Sequence, residues 1–152
     1  MLLTNHVLSG ALVGALARRP LPAFAAGVAS HFALDAVPHW AERDWRDNPR
    51  RFLCVAVPDG LAGLAALCAL AAAAPPPRRR AVLAGMAGAA LPDADKPARL
   101  WFGRSPWPGL VDRFHDGIQR EAPGRGRYEL LAAGVLAAAA LLTVRAGHRA
   151  GG

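Results

Sequence analysis

The chain has 152 residues, 53% of them hydrophobic, and a formal net charge of +7. Its length allows one domain, and its apolar residues are gathered into runs rather than spaced along amphipathic faces. That pattern points away from a water-soluble domain and toward a lipid-embedded one. The basic balance does not mark a nucleic-acid binder, because the arginines stand at the ends of the runs and are spread over every loop, as in membrane anchoring; no nucleic-acid partner is expected.

Two runs open the chain, residues 2–17, closed by Arg18, Arg19 and Pro20, and residues 21–37, closed by Pro38. They read as a helical hairpin, with Pro20 in a first turn that tolerates proline and Pro38 where the second helix stops or kinks. Residues 1–6 carry no basic stretch of the signal-peptide kind, so the first run is expected to be retained. Residues 52–74 form the clearest span: Asp59 is their one charge, and Arg50 and Arg51 precede them. At about 1.5 Å rise per residue this run reaches about 34 Å, enough for a hydrocarbon core of roughly 30 Å. Cys54 and Cys68 lie on it about 21 Å apart, too far to bridge, and read as packing residues.

Pro75, Pro76, Pro77, Arg78, Arg79 and Arg80 close that span. Residues 81–91, with Gly85 and Gly88, are too few to cross lipid alone and read as a helix buried among the others, where small residues permit close approach. Residues 92–127 turn polar and rich in Trp and Pro, with an amphipathic helix expected over residues 110–120. Residues 128–144 are almost entirely Ala, Leu and Val after Glu129 and form the last expected span; residues 148–152 read as a frayed tail. The expected fold is all-α: a single membrane-embedded domain over residues 1–152, a bundle of about four to five apolar helices with a short amphipathic extramembrane segment.

Polar chemistry gathers at helix ends. Asn5 and His6 start the first helix, His31, Asp35 and His39 end the second, Asp59 lies early in the third, and Asp93 and Asp95 follow the short fourth run. In an antiparallel up-down bundle these positions fall at one end. His31 and Asp35 are four residues apart, hence on one helix face about 6 Å apart, as two ligands of one ion would be. Asp93 and Asp95 give alternating carboxylates on a turn, suited to one or two cations, and suit equally a cap for a helix over residues 96–102. His115 could close the site from the amphipathic segment, whereas Asp112 and Asp116 face solvent or pair with Arg113 and Arg120. His39, beside Trp40, reads either as interfacial or as a ligand. Asp35 and Asp59 need partners, since a carboxylate in a membrane run costs about 3 kcal/mol unless paired, hydrated or bound to a cation. Trp40, Trp45, Trp101 and Trp107 fall in the loops at the same end, as an anchoring belt or as the rim through which a lipid-like substrate passes.

Three segments together, Thr4-Asn5-His6, the stretch from Ser30-His31 through Asp35 to Pro38-His39, and Leu91-Pro92-Asp93-Ala94-Asp95-Lys96, resemble the bacterial inner-membrane metal-dependent hydrolases, the group described as LexA-binding, membrane-associated hydrolases. The resemblance runs over most of the chain. It implies a multi-pass protein of the bacterial inner membrane with a divalent-metal site (zinc, manganese or magnesium) and hydrolysis of a phosphoester or lipid-related substrate. On that reading His6, His31, Asp35, Asp93 and Asp95 hold the metal, while Asp59 or His115 acts as general base or orients a ligand. The competing reading is a structural or regulatory membrane protein whose polar cluster merely joins helices. A transporter ranks third, since the polar residues stop at one end of the bundle instead of continuing across it.

Overall fold

The computed structural model describes residues 1–40, 48–122 and 124–149; Trp45 lies outside the described residues. These form seven helices: α1 (Leu3–Ala17), α2 (Pro20–Asp35), α3 (Pro49–Ala73), α4 (Pro76–Ala90), α5 (Asp95–Phe102), α6 (Gly109–Ile118) and α7 (Gly126–Arg149). A single 3-10 turn, Leu91–Ala94, joins α4 to α5. Among the described residues no strand forms, and one isolated parallel bridge links His39 to Glu121.

Local chemistry sets the boundaries. Arg18 takes the left-handed conformation (φ 61°) and its N–H returns to the Gly14 carbonyl, closing α1; Pro20 then opens α2, its missing N–H costing nothing in a first turn. Asn48 Oδ1 accepts from the Arg51 N–H at 3.1 Å, so α3 starts three residues before the apolar run does. The prolines after α3 do more than end it. Pro76 is the first residue of α4, so the buried helix read from residues 81–91 is 15 residues long and takes Arg78, Arg79 and Arg80 into its opening turns. α7 likewise outruns the expected residues 128–144 at both ends and stays helical through Arg149, where fraying was expected from residue 148.

α4 lies against both α1 and α2, and α1 is flanked on its other sides by α3 and α7. The helices of the central trio meet through glycine. A Cβ on Gly85 would run into the Gly10 carbonyl oxygen, and one on Gly88 into that of Phe24, so these backbones approach as closely as small residues allow. Below this contact Val7, Leu8, Ala11 and Ala15 of α1 pack with Leu70, Val82, Met86, Ala140 and Val144 into one apolar cluster.

α3 and α7 are long and apolar enough to cross a membrane, and little of either is buried inside the fold. Leu61 and Leu64 of α3 and Leu130, Val135 and Leu142 of α7 point outward. The core helix of a soluble protein would hide such residues. α1, α2 and α4 are shorter, at 15, 16 and 15 residues. Cys54 and Cys68 are free and exposed on α3, which corrects their reading as packing residues.

Candidate metal centre

The end of α2, the start of α1, the 3-10 turn after α4 and the amphipathic α6 converge on one buried polar cluster. His31 is fully buried, and its Nδ1 lies 2.8 Å from the Ala89 carbonyl oxygen. A carbonyl only accepts, so Nδ1 donates and Nε2 of the neutral ring carries the lone pair. That Nε2 is 3.1 Å from His115 Nε2 and 3.2 Å from Asp35 Oδ2. His115 Nε2 is in turn 3.3 Å from Asp35 Oδ2 and 3.7 Å from Asp93 Oδ1, and His31 Nε2 is 3.9 Å from the same Asp93 oxygen.

Four donors, two imidazole nitrogens and two carboxylate oxygens, thus lie within 4.8 Å of one another. Ligand atoms at about 2.0–2.1 Å from a tetrahedral ion stand about 3.3 Å apart. The contacts among His31, His115 and Asp35 match this at 3.1–3.3 Å, and Asp93 stands farther off, 3.7 and 3.9 Å from the two imidazole nitrogens. Gln119 Nε2, 3.0 Å from His115 Nε2, donates to the lone pair of that nitrogen, and a cation would take its place there. Two lone pairs and two carboxylates facing one space are reconciled by protons or by a cation. The mixed imidazole and carboxylate set suits zinc or manganese better than magnesium.

His6 is buried beside this set, its ring stacked on His31 with centroids 3.9 Å apart and its Nε2 3.2 Å from Asp35 Oδ1. Asp35 Oδ1 also accepts from the Met1 amino group at 2.9 Å. Burial pushes the Asp93 carboxyl up, but the Lys96 ammonium against it and the nearby His6 and His31 rings outweigh burial and hold it well below the usual carboxylate range. Burial, joined by the Met1 ammonium, pushes the His39 imidazole below its ordinary value and favours the neutral ring.

Of the residues expected from sequence, His6, His31, Asp35, Asp93 and His115 are brought together, as antiparallel packing requires. His115 stands among the donors themselves. Asp95 does not join them: it is buried on α5 with Oδ2 3.4 Å from Arg99 Nε. Asp59 is engaged elsewhere. Its Oδ2 accepts from the Leu3 N–H at 2.7 Å and its Oδ1 from the Thr4 N–H and hydroxyl at 3.1 and 2.6 Å, so it caps α1 and holds the helix that carries His6. Asp112 pairs with Arg99 at 2.7 Å and accepts from Ser105, not with Arg113 or Arg120.

Sequence reasoning missed Glu129, Gln119 and Lys96. Glu129, 2% exposed, accepts from the Leu2 N–H, the Asn5 side-chain amide and the Trp40 N–H, tying α7 to α1 and to the loop that bears His39. The signal was present, since a carboxylate beginning an apolar run needs a partner as Asp35 and Asp59 do.

Beside the cluster opens a cleft of about 310 Å³. His39, Lys96, Gln119 and the carboxylates Asp59, Asp93, Asp95, Asp116 and Glu121 are among its polar lining, and Leu53 and Val57 of α3 and Trp101 of α5 are among its apolar walls. Comparison of the chain with protein-family models, with curated proteins and with solved structures returns no match in any of the three.

Proposed function

We propose that this chain is a multi-pass protein of the bacterial inner membrane that hydrolyses a phosphoester or a lipid-related substrate with a divalent cation held by His31, Asp35, Asp93 and His115. The observation that carries the proposal is the ligand-like spacing of those four buried donors beside a cleft with apolar walls. A cation in such a site lowers the pKa of water and polarises a substrate oxygen. The chain's own residues supply the rest. The Ala89 carbonyl fixes the His31 ring, and because Lys96 is paired with Asp93 in a cleft lined by several carboxylates, the cation would supply the charge that an anionic group needs. The Leu53, Val57 and Trp101 side chains offer an apolar wall to an acyl chain. The resemblance to membrane-associated hydrolases agrees with this chemistry.

A second reading, a polar cluster that only joins helices, draws support from the Met1 and Lys96 ammonium groups, which already face Asp35 and Asp93 and balance their charge. A hydrolysis assay separates the two. Detergent-purified protein is tested on chromogenic phosphomonoesters, phosphodiesters and phospholipids, before and after chelation and with zinc or manganese restored. Hydrolysis that chelation abolishes, that metal restores and that His31→Ala lacks is expected. Metal-supplemented protein that cleaves none of these substrates sinks the hydrolase reading.

A further inference from the structure

The oxygens of Asp35 and Asp93 divide between two sets of partners. On one side Asp35 Oδ2 and Asp93 Oδ1 face His31 and His115, the four donors described above. On the other, Asp35 Oδ1 lies 3.2 Å from His6 Nε2 and 4.0 Å from His39 Nε2, and Asp93 Oδ2 lies 4.0 Å from His6 Nε2. We infer that this second face holds a second divalent cation, between His6 and His39, so that the centre is dinuclear with Asp35 and Asp93 as bridging carboxylates. The inference rests on the metal reading proposed above and extends it.

His39 is prepared for that role, and His6 presents its Nε2 to the same carboxylate oxygens. His39 Nδ1 is 2.8 Å from the Val37 carbonyl oxygen and donates to it, which leaves a lone pair on Nε2. That Nε2 is buried and has no hydrogen-bond partner, and the same holds for His6 Nδ1, while His6 Nε2 faces Asp35 Oδ1 at 3.2 Å. The rings are 2% and 0% exposed. A buried imidazole nitrogen without a partner carries a desolvation cost of about 1–3 kcal/mol, which a cation bound at His39 Nε2 removes there. The position already attracts positive charge, because the Met1 ammonium sits 2.9 Å from Asp35 Oδ1 and would yield to the ion.

Position relative to the cleft gives the second site its purpose. His39 and Asp93 line the cleft, whereas His31, Asp35 and His115 do not, so the second cation is the one a substrate would meet first. Paired cations roughly 3.5–4 Å apart serve phosphoryl transfer by stabilising both the attacking and the leaving oxygen, which favours a phosphoester as the substrate class.

The test is manganese stoichiometry of the full-length protein in detergent after chelation, reloading and desalting, read together with the electron paramagnetic resonance spectrum. Wild type is expected to retain about two ions per chain with the spectrum of an exchange-coupled pair, and folded His39→Ala and His6→Ala to retain about one with the six-line spectrum of an isolated ion. The two substitutions lie on different elements, the loop after α2 and α1, so a folding failure in one leaves the other informative. Wild type holding one ion, or folded variants that keep two or lose both, overturns the second site and leaves the single-metal reading standing. Wild type that retains neither manganese nor, after the same reloading, zinc overturns both.

Discussion

Glu129 opens the long apolar face of α7, and its carboxylate is consumed by three donors from the start of α1 and the loop after α2. Replacement by alanine leaves the half-buried Leu2 and Trp40 N–H groups unmet and takes from the buried Asn5 amide its bond to the carboxylate, leaving only the one to the Glu129 backbone carbonyl. Each orphan costs about 1–3 kcal/mol, so Glu129→Ala is expected to destabilise the protein by about 3 kcal/mol or more. An unfolding free energy in detergent within about 1 kcal/mol of wild type would contradict this role. The same reasoning, that a carboxylate in an apolar run requires a partner, made Asp35 and Asp59 stand out in the sequence, yet it cannot say which partner. Asp35 faces the histidines and Asp59 the N-terminus of α1 because α1 lies between α2 and α3, a fact of packing that no spacing in the chain encodes. His115 was legible as a residue able to reach the site; its place among the donors follows from how α6 docks on α2.

Helices meet or avoid one another here according to their small residues. Gly85→Ala would drive a Cβ into the Gly10 carbonyl oxygen and so part α4 from α1. A cost of about 1–3 kcal/mol is expected from such overpacking, read from the unfolding midpoint in detergent. Gly60, in α3, has open space where its Cβ would sit, and Gly60→Ala is expected to be neutral or stabilising by about 0.5–1 kcal/mol. Equal effects at the two positions would refute the close-contact account. The outward faces of α3 and α7 make a separate claim. Leu61 and Val135 are exposed near the middle of each helix. If lipid covers them, Leu61→Arg and Val135→Arg each cost about 2.5–3.5 kcal/mol on insertion and deplete the membrane fraction. If water does, such surface changes stay within about 0.5 kcal/mol and the protein level is unchanged.

For the molecule as a whole, composition and run length made the all-helical class legible, and with it the two longest apolar helices. The start of α4 was not, because a triple proline followed by three arginines reads as an ending when it is also a permitted first turn. Convergence of His6, His31, Asp35 and Asp93 followed from antiparallel order alone, whereas the exclusion of Asp95 depends on which face of α5 meets Arg99. The buried histidines and carboxylates at the end of the bundle could hold a metal ion, and the proposed function depends on their doing so. Plasma mass spectrometry of the metal content of detergent-purified protein tests it most directly, comparing wild type with an Asp35→Ala, Asp93→Ala double variant shown by circular dichroism to keep its helices. Wild type is expected to hold at least one zinc or manganese ion per chain, and the variant to lose it. No metal in wild type, even after reconstitution with zinc, manganese or magnesium, would contradict it and leave a helical protein whose polar cluster joins its helices.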